Sequence, residues 1–280
     1  MSISAVLVNY NSWNLIERVL KNLPDGVEKI VVDNASRTPP PQNHTDDIIL
    51  IRNPRNLGFA AALNVGISRA SGEFILIATP DVDFDSSVVL ELARFLQENE
   101  RVAAAVPSSR TPSGKVWPMA RMVDKPEMFF LCGRRSPLSR FFPSCRRDFL
   151  YMETDEPTKV EAVVGTFMML RKSAWEDVGR FDPSLFFYTE DLDISIRLRK
   201  KGWELYLLPH LSIIHRVGEV RKAHSLFAET KRIISFYRFF VKNYPVMKRL
   251  SPLLLAGAFG QIALTSFRHL MGIPPKDPHW

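Results

Sequence analysis

Along the first hundred residues, short continuous apolar runs alternate with segments whose apolar positions recur every three or four residues. Ile3–Val8, Ile48–Ile51, Phe74–Ala78 and Val102–Val106 are runs of the first kind, and Lys29–Val32 is a further strand that ends at Asp33. An uninterrupted apolar run of this length predicts a strand covered on both faces. Between them, Leu15, Ile16, Val19 and Leu20 share one side of a helix that Asn11 or Ser12 can cap and that reaches about Lys21. Phe59 to about Ala70 and Val88–Gln97 read as two further helices. This alternation predicts an α/β fold, with a mostly parallel central sheet and helices on both faces. Ligands of such sheets bind beyond the carboxyl ends of the strands.

The pattern breaks at Arg37–Asn43, where consecutive prolines predict a loop. It breaks again over 108–158, a stretch with five arginines between Arg134 and Arg147 and the aromatic pairs Phe129-Phe130 and Phe141-Phe142. That stretch reads as an irregular insertion or lid. Order returns with strands at Val160–Val164 and Met168–Leu170, a helix from Ser173 and an acidic helix after Tyr188. Strands at Leu205–Leu208 and Ser212–Ile214 and a long helix over Ala223–Asn243 follow. The expected organisation is one domain over 1–220, with halves at 1–107 and 159–220 around the 108–158 insertion, and C-terminal helices over 221–280.

The last of these helices changes the picture. Leu250 to Phe267 is 18 consecutive uncharged residues, preceded by Lys248-Arg249 and followed by Arg268-His269. That is the lower edge of a membrane span, and Pro252, Gly257, Gly260 and Gln261 weaken it further. A helix or hairpin lying in the membrane interface is one reading. A helix packed on the domain or on a second subunit, as in a homodimer, is the other.

With 280 residues and 46% apolar side chains, the chain can bury one sizeable core. Its net charge of +7 is uneven. Residues 1–100 hold 8 Lys/Arg against 13 Asp/Glu, 115–148 hold 8 against 3, and 221–249 hold 8 against 1. The acidic part suits a metal, the basic parts an anionic partner. No helix-turn-helix, zinc-finger or RNP signature accompanies them, so nucleic acid is not expected and an anionic membrane surface fits better. Cys132 and Cys145 form neither a metal-ligand spacing nor a disulfide framework, which favours a reducing compartment. The N-terminus lacks a secretory pattern, so the glycosylation tripeptides at Asn34 and Asn43 read as chance. The expected location is the cytoplasm, peripheral to the inner face of the membrane.

Three acidic stations carry the candidate chemistry. Asp81 and Asp83, in Thr79-Pro-Asp-Val-Asp83 at a predicted strand end, can both reach one hard divalent cation such as Mg²⁺ or Mn²⁺. A sugar nucleotide would supply further oxygens, and the metal would neutralise the departing diphosphate. Asp33 ends a strand in Val-Val-Asp-Asn34, where it can accept a pyrimidine imide N–H or serve as a turn residue. Asp191 is the candidate base, taking the proton of an attacking hydroxyl in an inverting sugar transfer. Glu190 would orient the acceptor, and Asp193 would brace the helix or pair with Arg197. His215 closes an apolar run and can complete a metal shell or serve structurally. Asn56, Gly58 and Asn64, around a helix start, can approach phosphate or ribose, or mark tight packing.

Taken in order, these segments resemble the family 2 inverting glycosyltransferases, in particular their rhamnosyltransferase-like branch, over roughly residues 3–218. Val6-Leu-Val-Asn-Tyr-Asn11 is similar to the family's first strand, which assigns nucleoside contacts to Val8 and Tyr10. Val31-Val-Asp-Asn-Ala-Ser36, Asn56–Asn64, Thr79–Asp83 and Tyr188-Thr-Glu-Asp-Leu-Asp193 resemble its base, Asn-x-Gly-Phe, metal and catalytic-base segments. His215 corresponds to a metal ligand of some relatives. Thr79 replaces the commoner Asn, and Val163-Val-Gly-Thr166 stands where Ser-Gly-Ala is usual near the acceptor, which brings Gly165 into the substrate set. Gly218-Glu-Val220 stands where Gly-x-Ser is frequent. The resemblance implies a nucleotide-diphosphosugar transferase (GT-A) fold, a divalent metal and a nucleotide-sugar donor (dTDP or UDP, with rhamnose as a sugar). It also implies a glycan or polyprenyl-linked acceptor in cell-surface polysaccharide synthesis, whose diphosphate the arginines at 134–147 could meet.

Two competitors remain at this stage. A sugar-phosphate nucleotidyltransferase would want a glycine-rich basic first loop, which Asn9-Tyr-Asn-Ser-Trp13 is not. A non-catalytic scaffold would have no need to retain the acidic stations.

Overall fold

The computed structural model describes residues 1–38, 47–125, 155–216 and 226–271. The prolines at 39–41, both cysteines, the arginines at 134–147 and Gly218–Val220 lie outside the described residues, with the expectations attached to them.

The N-terminal half runs β1 (Ile3–Asn9), α1 (Trp13–Lys21), β2 (Glu28–Asp33), β3 (Ile48–Arg52), α2 (Phe59–Arg69), β4 (Phe74–Ala78), β5 (Val82–Asp83), α3 (Ser86–Glu98) and β6 (Val102–Arg110). After it come β7 (Val116–Trp117), β8 (Ala120–Arg121), β9 (Thr158–Lys159), β10 (Ala162–Val163), β11 (Phe167–Arg171) and α4 (Lys172–Asp177). The chain continues through α5 (Glu190–Lys200), β12 (Glu204–His215), α6 (Leu226–Asn243), α7 (Pro245–Arg249) and α8 (Ser251–Leu270).

Among the described residues the main sheet has the order β3-β2-β1-β4-β11-β6-β12-β5, with β7 beside β6 and β9 beside β12. The strands β3, β2, β1 and β4 are parallel to one another, as are β6 and β12. Between the two groups β11 runs antiparallel to both β4 and β6. Two reversals restore direction, so β1, β2, β3, β4, β6 and β12 all present their carboxyl ends at one edge. The chain order changes direction between β1 and β4, and open sheets receive ligands in the crevice at such a switch point.

Every residue of β1, β4 and β11 is buried, which explains why these strands are apolar but for Ser4, Asn9 and Arg171. An 11-residue helix such as α2 is too short to persist alone in water. It is held by burial of Leu63 and Ile67 against the sheet, each contributing roughly 1.5–3 kcal/mol. A second apolar cluster joins Leu192 and Ile196 of α5 to Phe239 and Phe240 of α6 and to Tyr244 and Met247. The C-terminal helices therefore back the acidic helix.

The structure departs from the sequence pattern in a few places. The expected strands at 205–208 and 212–214 are one strand, β12, whose register shifts between Leu208 and Ser212. Pro209 has no N–H to give the ladder there, and the Ser108 hydroxyl donates to the Pro209 and Leu211 carbonyls at 3.2 and 2.7 Å. The irregular stretch begins later than 108, because Ser108–Arg110 continue β6 against β12 and β7. It also contributes β8, which pairs with β10 in a separate ribbon. Helix α3 starts two residues before Val88, because the Asp85 carboxylate caps the Ser87 N–H at 2.9 Å. No residue of α8 is buried, and among the described residues no helix is long and apolar enough to cross a membrane.

One glycine fixes how α2 meets the second half. Gly58 has φ +88°, and a Cβ there would stand 2.6 Å from the Phe186 carbonyl, which accepts the Phe59 N–H at 2.8 Å. Substituting Gly58→Ala should cost about 1–3 kcal/mol, read as a lower denaturant midpoint at unchanged slope. An unchanged midpoint would contradict the positive φ.

Candidate functional site

At the ends of β1 and β2 the polar residues form a closed network. The Asn9 amide donates to Asp33 Oδ1 at 2.8 Å and to the Ser36 hydroxyl at 3.1 Å, while its oxygen accepts the Ser12 N–H. Asp33 is fully buried; its other oxygen accepts the Ser36 N–H at 3.4 Å and faces Arg52 at the same distance. Asn34 turns toward the next loop. Its amide donates to Asn56 Oδ1 and the Gly58 carbonyl, and its oxygen accepts from Asn53 and the Leu57 N–H. Asn56 also accepts the Gly58 N–H. Asn64 makes a reciprocal pair with the Phe181 backbone, at 2.8 and 3.0 Å. Thus Asn34, Asn56, Gly58 and Asn64 tie β2 and α2 to the segment leading into α5. Val8 is buried beside this network, and Tyr10 projects with 47% of its surface exposed.

The second station follows β4. Asp81 Oδ1 accepts the Thr79 hydroxyl at 2.8 Å, and its Oδ2 lies 3.3 Å from His215 Nε2. Burial opposes ionisation of Asp81, but the His215 and Thr79 contacts outweigh it and hold the carboxyl below its ordinary value. His215 is brought there because β5 pairs with the end of β12, and the Arg216 N–H donates to the Asp81 carbonyl. The Trp117 ring meets the imidazole edge-on at 5.1 Å, and His215 Nδ1 is buried with no hydrogen-bond partner among the described residues. Asp83 is clamped: Arg18 of α1 reaches Oδ1 at 2.7 Å, and Arg216 Nε meets Oδ2.

A divalent ion fits part of this set. Asp81 oxygen and His215 Nε2 stand together as a mixed oxygen–nitrogen donor pair, which suits Mn²⁺ better than Mg²⁺. Asp83 can join only if its guanidinium partners move. Among the described residues no three His, Cys, Asp or Glu gather around one point.

The third station opens α5. Tyr188 and Thr189 both have positive φ, 66° and 68°, an uncommon conformation for such residues that turns the chain sharply into the helix. Asp191 Oδ2 accepts the Gly165 N–H at 3.0 Å, its Oδ1 accepts the Leu192 N–H, and its carbonyl accepts the Ser195 hydroxyl. Burial raises the Asp191 carboxyl above its ordinary value, and the Gly165 N–H and the charge of Arg121 hold the rise back. Arg121 is buried on β8, the strand paired with the β10 ribbon that carries Gly165 at its end. Glu190 is buried, and one of its oxygens lacks a partner among the described residues. Burial, reinforced by Asp191 and Asp193, pushes it well above the ordinary carboxyl range. Asp193 pairs with Arg197 at 2.9 Å, four residues on, and also takes Lys242 and Asn243 of α6.

Stations two and three are joined directly. The Thr79 N–H donates to the Thr166 carbonyl at 2.8 Å, one residue from Gly165. The Asp33 network sits on the neighbouring strand ends. Sequence reasoning missed Arg18, Arg216, Arg121 and the hub Asn9. Asn9 lay inside a quoted motif; the arginines carry no local signal, because only the sheet order brings them to carboxylates distant in sequence.

Comparison with known proteins agrees with this arrangement. The model of Glycosyl transferase family 2 matches residues 4–179, and that of Glycosyl transferase family group 2 matches 120–254. An N-acetylglucosaminyl-diphospho-decaprenol L-rhamnosyltransferase of Mycobacterium tuberculosis is 29% identical over 241 residues, 79% of this chain and 76% of that protein. The dTDP-rhamnosyl transferase RfbF of Shigella flexneri is 24% identical over 226 residues, 78% and 70% of the two chains. Among solved structures, the mannosyltransferase PcManGT of Pyrobaculum calidifontis, in complex with GDP-Man and Mn²⁺, matches with a TM-score of 0.58 at 19% identity, covering 92% of this chain and 69% of its own. GalNAc-T7 with UDP, GalNAc and Mn²⁺ matches with a TM-score of 0.57 at 15% identity over 86% of this chain, which spans 50% of that protein. The fold is the nucleotide-diphosphosugar transferase (GT-A) fold.

The Glu190 environment has a thermodynamic consequence. A carboxyl raised in the folded state stabilises the fold fully below its unfolded value near 4.5, and that contribution is lost as pH rises through the folded value. Glu190→Gln, which stays neutral, should melt with the parent at acid pH and above it at alkaline pH. A lower melting temperature at alkaline pH would show instead that Glu190 is ionised and paired.

Proposed function

The chain belongs to glycosyl transferase family 2, and from that premise we propose that this glycosyltransferase moves rhamnose or a related hexose from a dTDP or UDP donor to a hydroxyl of a polyprenyl-linked saccharide, with inversion. The names of its relatives, a decaprenol-linked rhamnosyltransferase and a dTDP-rhamnosyl transferase, support donor and acceptor classes of this kind. The observation that carries the reading is Asp191. Its carboxylate opens a helix, is oriented by the Gly165 N–H, and stands one backbone hydrogen bond from the Asp81 loop.

In this reading residues 1–107 receive the donor and 159–220 the acceptor. Val8 and Tyr10 meet the nucleoside, Tyr10 through its exposed ring. Asp33 takes a base imide N–H by giving up its long contact with Ser36; the Asn9 bond would hold it in place meanwhile. The Asn34–Asn56–Gly58 network and Asn64 keep the loop around the donor in shape. Asp81 and His215, with Asp83 once released, would hold a divalent ion. When bound, that ion neutralises charge on the leaving diphosphate.

Asp191 accepts the proton of the acceptor hydroxyl as that oxygen bonds to the anomeric carbon. The bond from that carbon to the phosphate oxygen breaks on the opposite face, and its electron pair leaves with the nucleoside diphosphate. A raised carboxyl is a stronger base, and Arg121 and the Gly165 N–H limit that rise at Asp191. Glu190 would orient the acceptor, its buried carboxyl favouring the protonated form that donates a hydrogen bond. The helix α8 exposes Leu253, Phe259, Leu264 and Phe267 between Lys248-Arg249 and Arg268. It would lie on the cytoplasmic membrane face, where a polyprenyl acceptor is held.

Asp191→Asn should lower turnover about 10²–10⁴-fold while the nucleoside diphosphate still raises the melting temperature. Turnover within a few-fold of the parent would remove Asp191 from the role of base. In the parent the rate should rise with pH through a value above the ordinary aspartate range, because the base must be ionised. Release of pyrophosphate in place of nucleoside diphosphate would favour a nucleotidyltransferase.

A further inference from the structure

The two consecutive left-handed residues before α5, Tyr188 at φ 66° and Thr189 at φ 68°, persist only because their surroundings over-determine them. Thr189 is branched at Cβ, which makes its conformation a true outlier. Glu190 and Asp191 follow at once, so whatever holds this turn also sets where Asp191 points. Helix α6 supplies the hold from one face. Ser235, Arg238, Lys242 and Asn243 recur along it at helical spacing. The Ser235 hydroxyl accepts the Phe187 N–H at 3.4 Å, and the Ser235 carbonyl accepts the Thr189 hydroxyl at 3.5 Å. Arg238 donates to the Ser184 carbonyl at 2.7 Å.

Lys242 spans the whole segment. Its ammonium donates to Asp182 Oδ2 at 2.6 Å and stands 2.8 Å from Asp193 Oδ1. Asp182 precedes the strained turn and Asp193 lies two residues beyond Asp191, so one cation closes a clasp across the segment that carries the base. Asp193 is fully buried, and the Asn243 amide at 3.0 Å and Arg197 at 2.9 Å complete its surroundings. A buried carboxylate matched by three donors, two of them from α6, fixes the rotation of α5 against that helix. The same rotation decides whether Asp191 Oδ2 meets the Gly165 N–H. We propose that Lys242 is a positioning residue for Asp191, acting through Asp182 and Asp193 and supported by Asn243. Helix α6 thus aims the base while contributing no group to the reaction. The inference rests on the glycosyl-transfer reading and adds a residue to it.

The test combines amide hydrogen exchange of the full chain with turnover of dTDP-rhamnose and a polyprenyl-diphospho-N-acetylglucosamine. In Lys242→Met, which keeps the apolar stem, exchange at the Gly165 amide should rise about 10-fold or more while amides of β1 and β4 keep their parental rates. Its kcat should fall roughly 10–10²-fold with the donor KM within a few-fold of the parent. Lys242→Arg, which can still bridge two carboxylates, should recover most of both losses. Asp182→Asn leaves the bonds to α5 in place and should move both readouts the same way by a smaller factor. A merely structural tie would raise exchange in β1, β4 and at Gly165 together and leave kcat per folded molecule unchanged; that result overturns the inference. So does parental Gly165 exchange in Lys242→Met. A parent that releases no nucleoside diphosphate from this pair removes the substrate reading, and exchange at Gly165 then decides the inference by itself. A working parent with unaffected variants removes the inference alone.

Discussion

The hydrogen bond from the Thr79 N–H to the Thr166 carbonyl is the joint on which the site depends. It extends the antiparallel pairing of β4 with β11 by one step past Ala78 and Phe167. On one side of it the chain turns into the Asp81 loop; on the other it runs back through Gly165, whose N–H holds Asp191. A parallel neighbour for β4 would have sent that segment to the opposite edge of the sheet. The reversed strand β11 thus brings the Asp81 loop beside the segment that holds Asp191.

Around this joint the electrostatics are handled in two ways. Where the carboxylates must meet cationic or hydrogen-bonding partners, the fold supplies them from distant elements: His215 for Asp81, Arg18 and Arg216 for Asp83, and Arg121 for Asp191. Where no partner is supplied, as at one oxygen of Glu190, burial and neighbouring charge favour the neutral acid. Asp193 is different again, because Arg197, Lys242 and Asn243 turn it into the tie between α5 and α6. Five acids near the strand ends and one helix end thereby acquire separate surroundings.

Much of this was legible in the sequence. The strands β1, β2, β3 and β4 and the helices between them followed from the pattern of apolar positions, since β1 and β4 are covered on both faces and each helix on one. The three acidic stations were legible as motifs because they stand at strand or helix ends. Pairing direction was not legible: Phe167–Arg171 reads as a buried strand whichever way it runs. The unity of β12 was hidden by Pro209, which looks like a terminator until Ser108 is seen satisfying the bulge. Arg18 is one charged residue on a helix whose apolar side alone was legible, and Arg121 lay in a stretch read as irregular. Their meaning is tertiary, and no local pattern encodes it.

The most direct measurement of the shared cleft uses Mn²⁺ as a paramagnetic probe on protein carrying carbon-13 in its aspartate carboxyl groups. With nucleoside diphosphate and Mn²⁺ added, the Asp81 and Asp191 signals should broaden together, while Asp25, just before β2 at the opposite edge of the sheet, stays sharp. Broadening at Asp81 with a sharp Asp191 would place the cation and the base in separate sites and contradict the account.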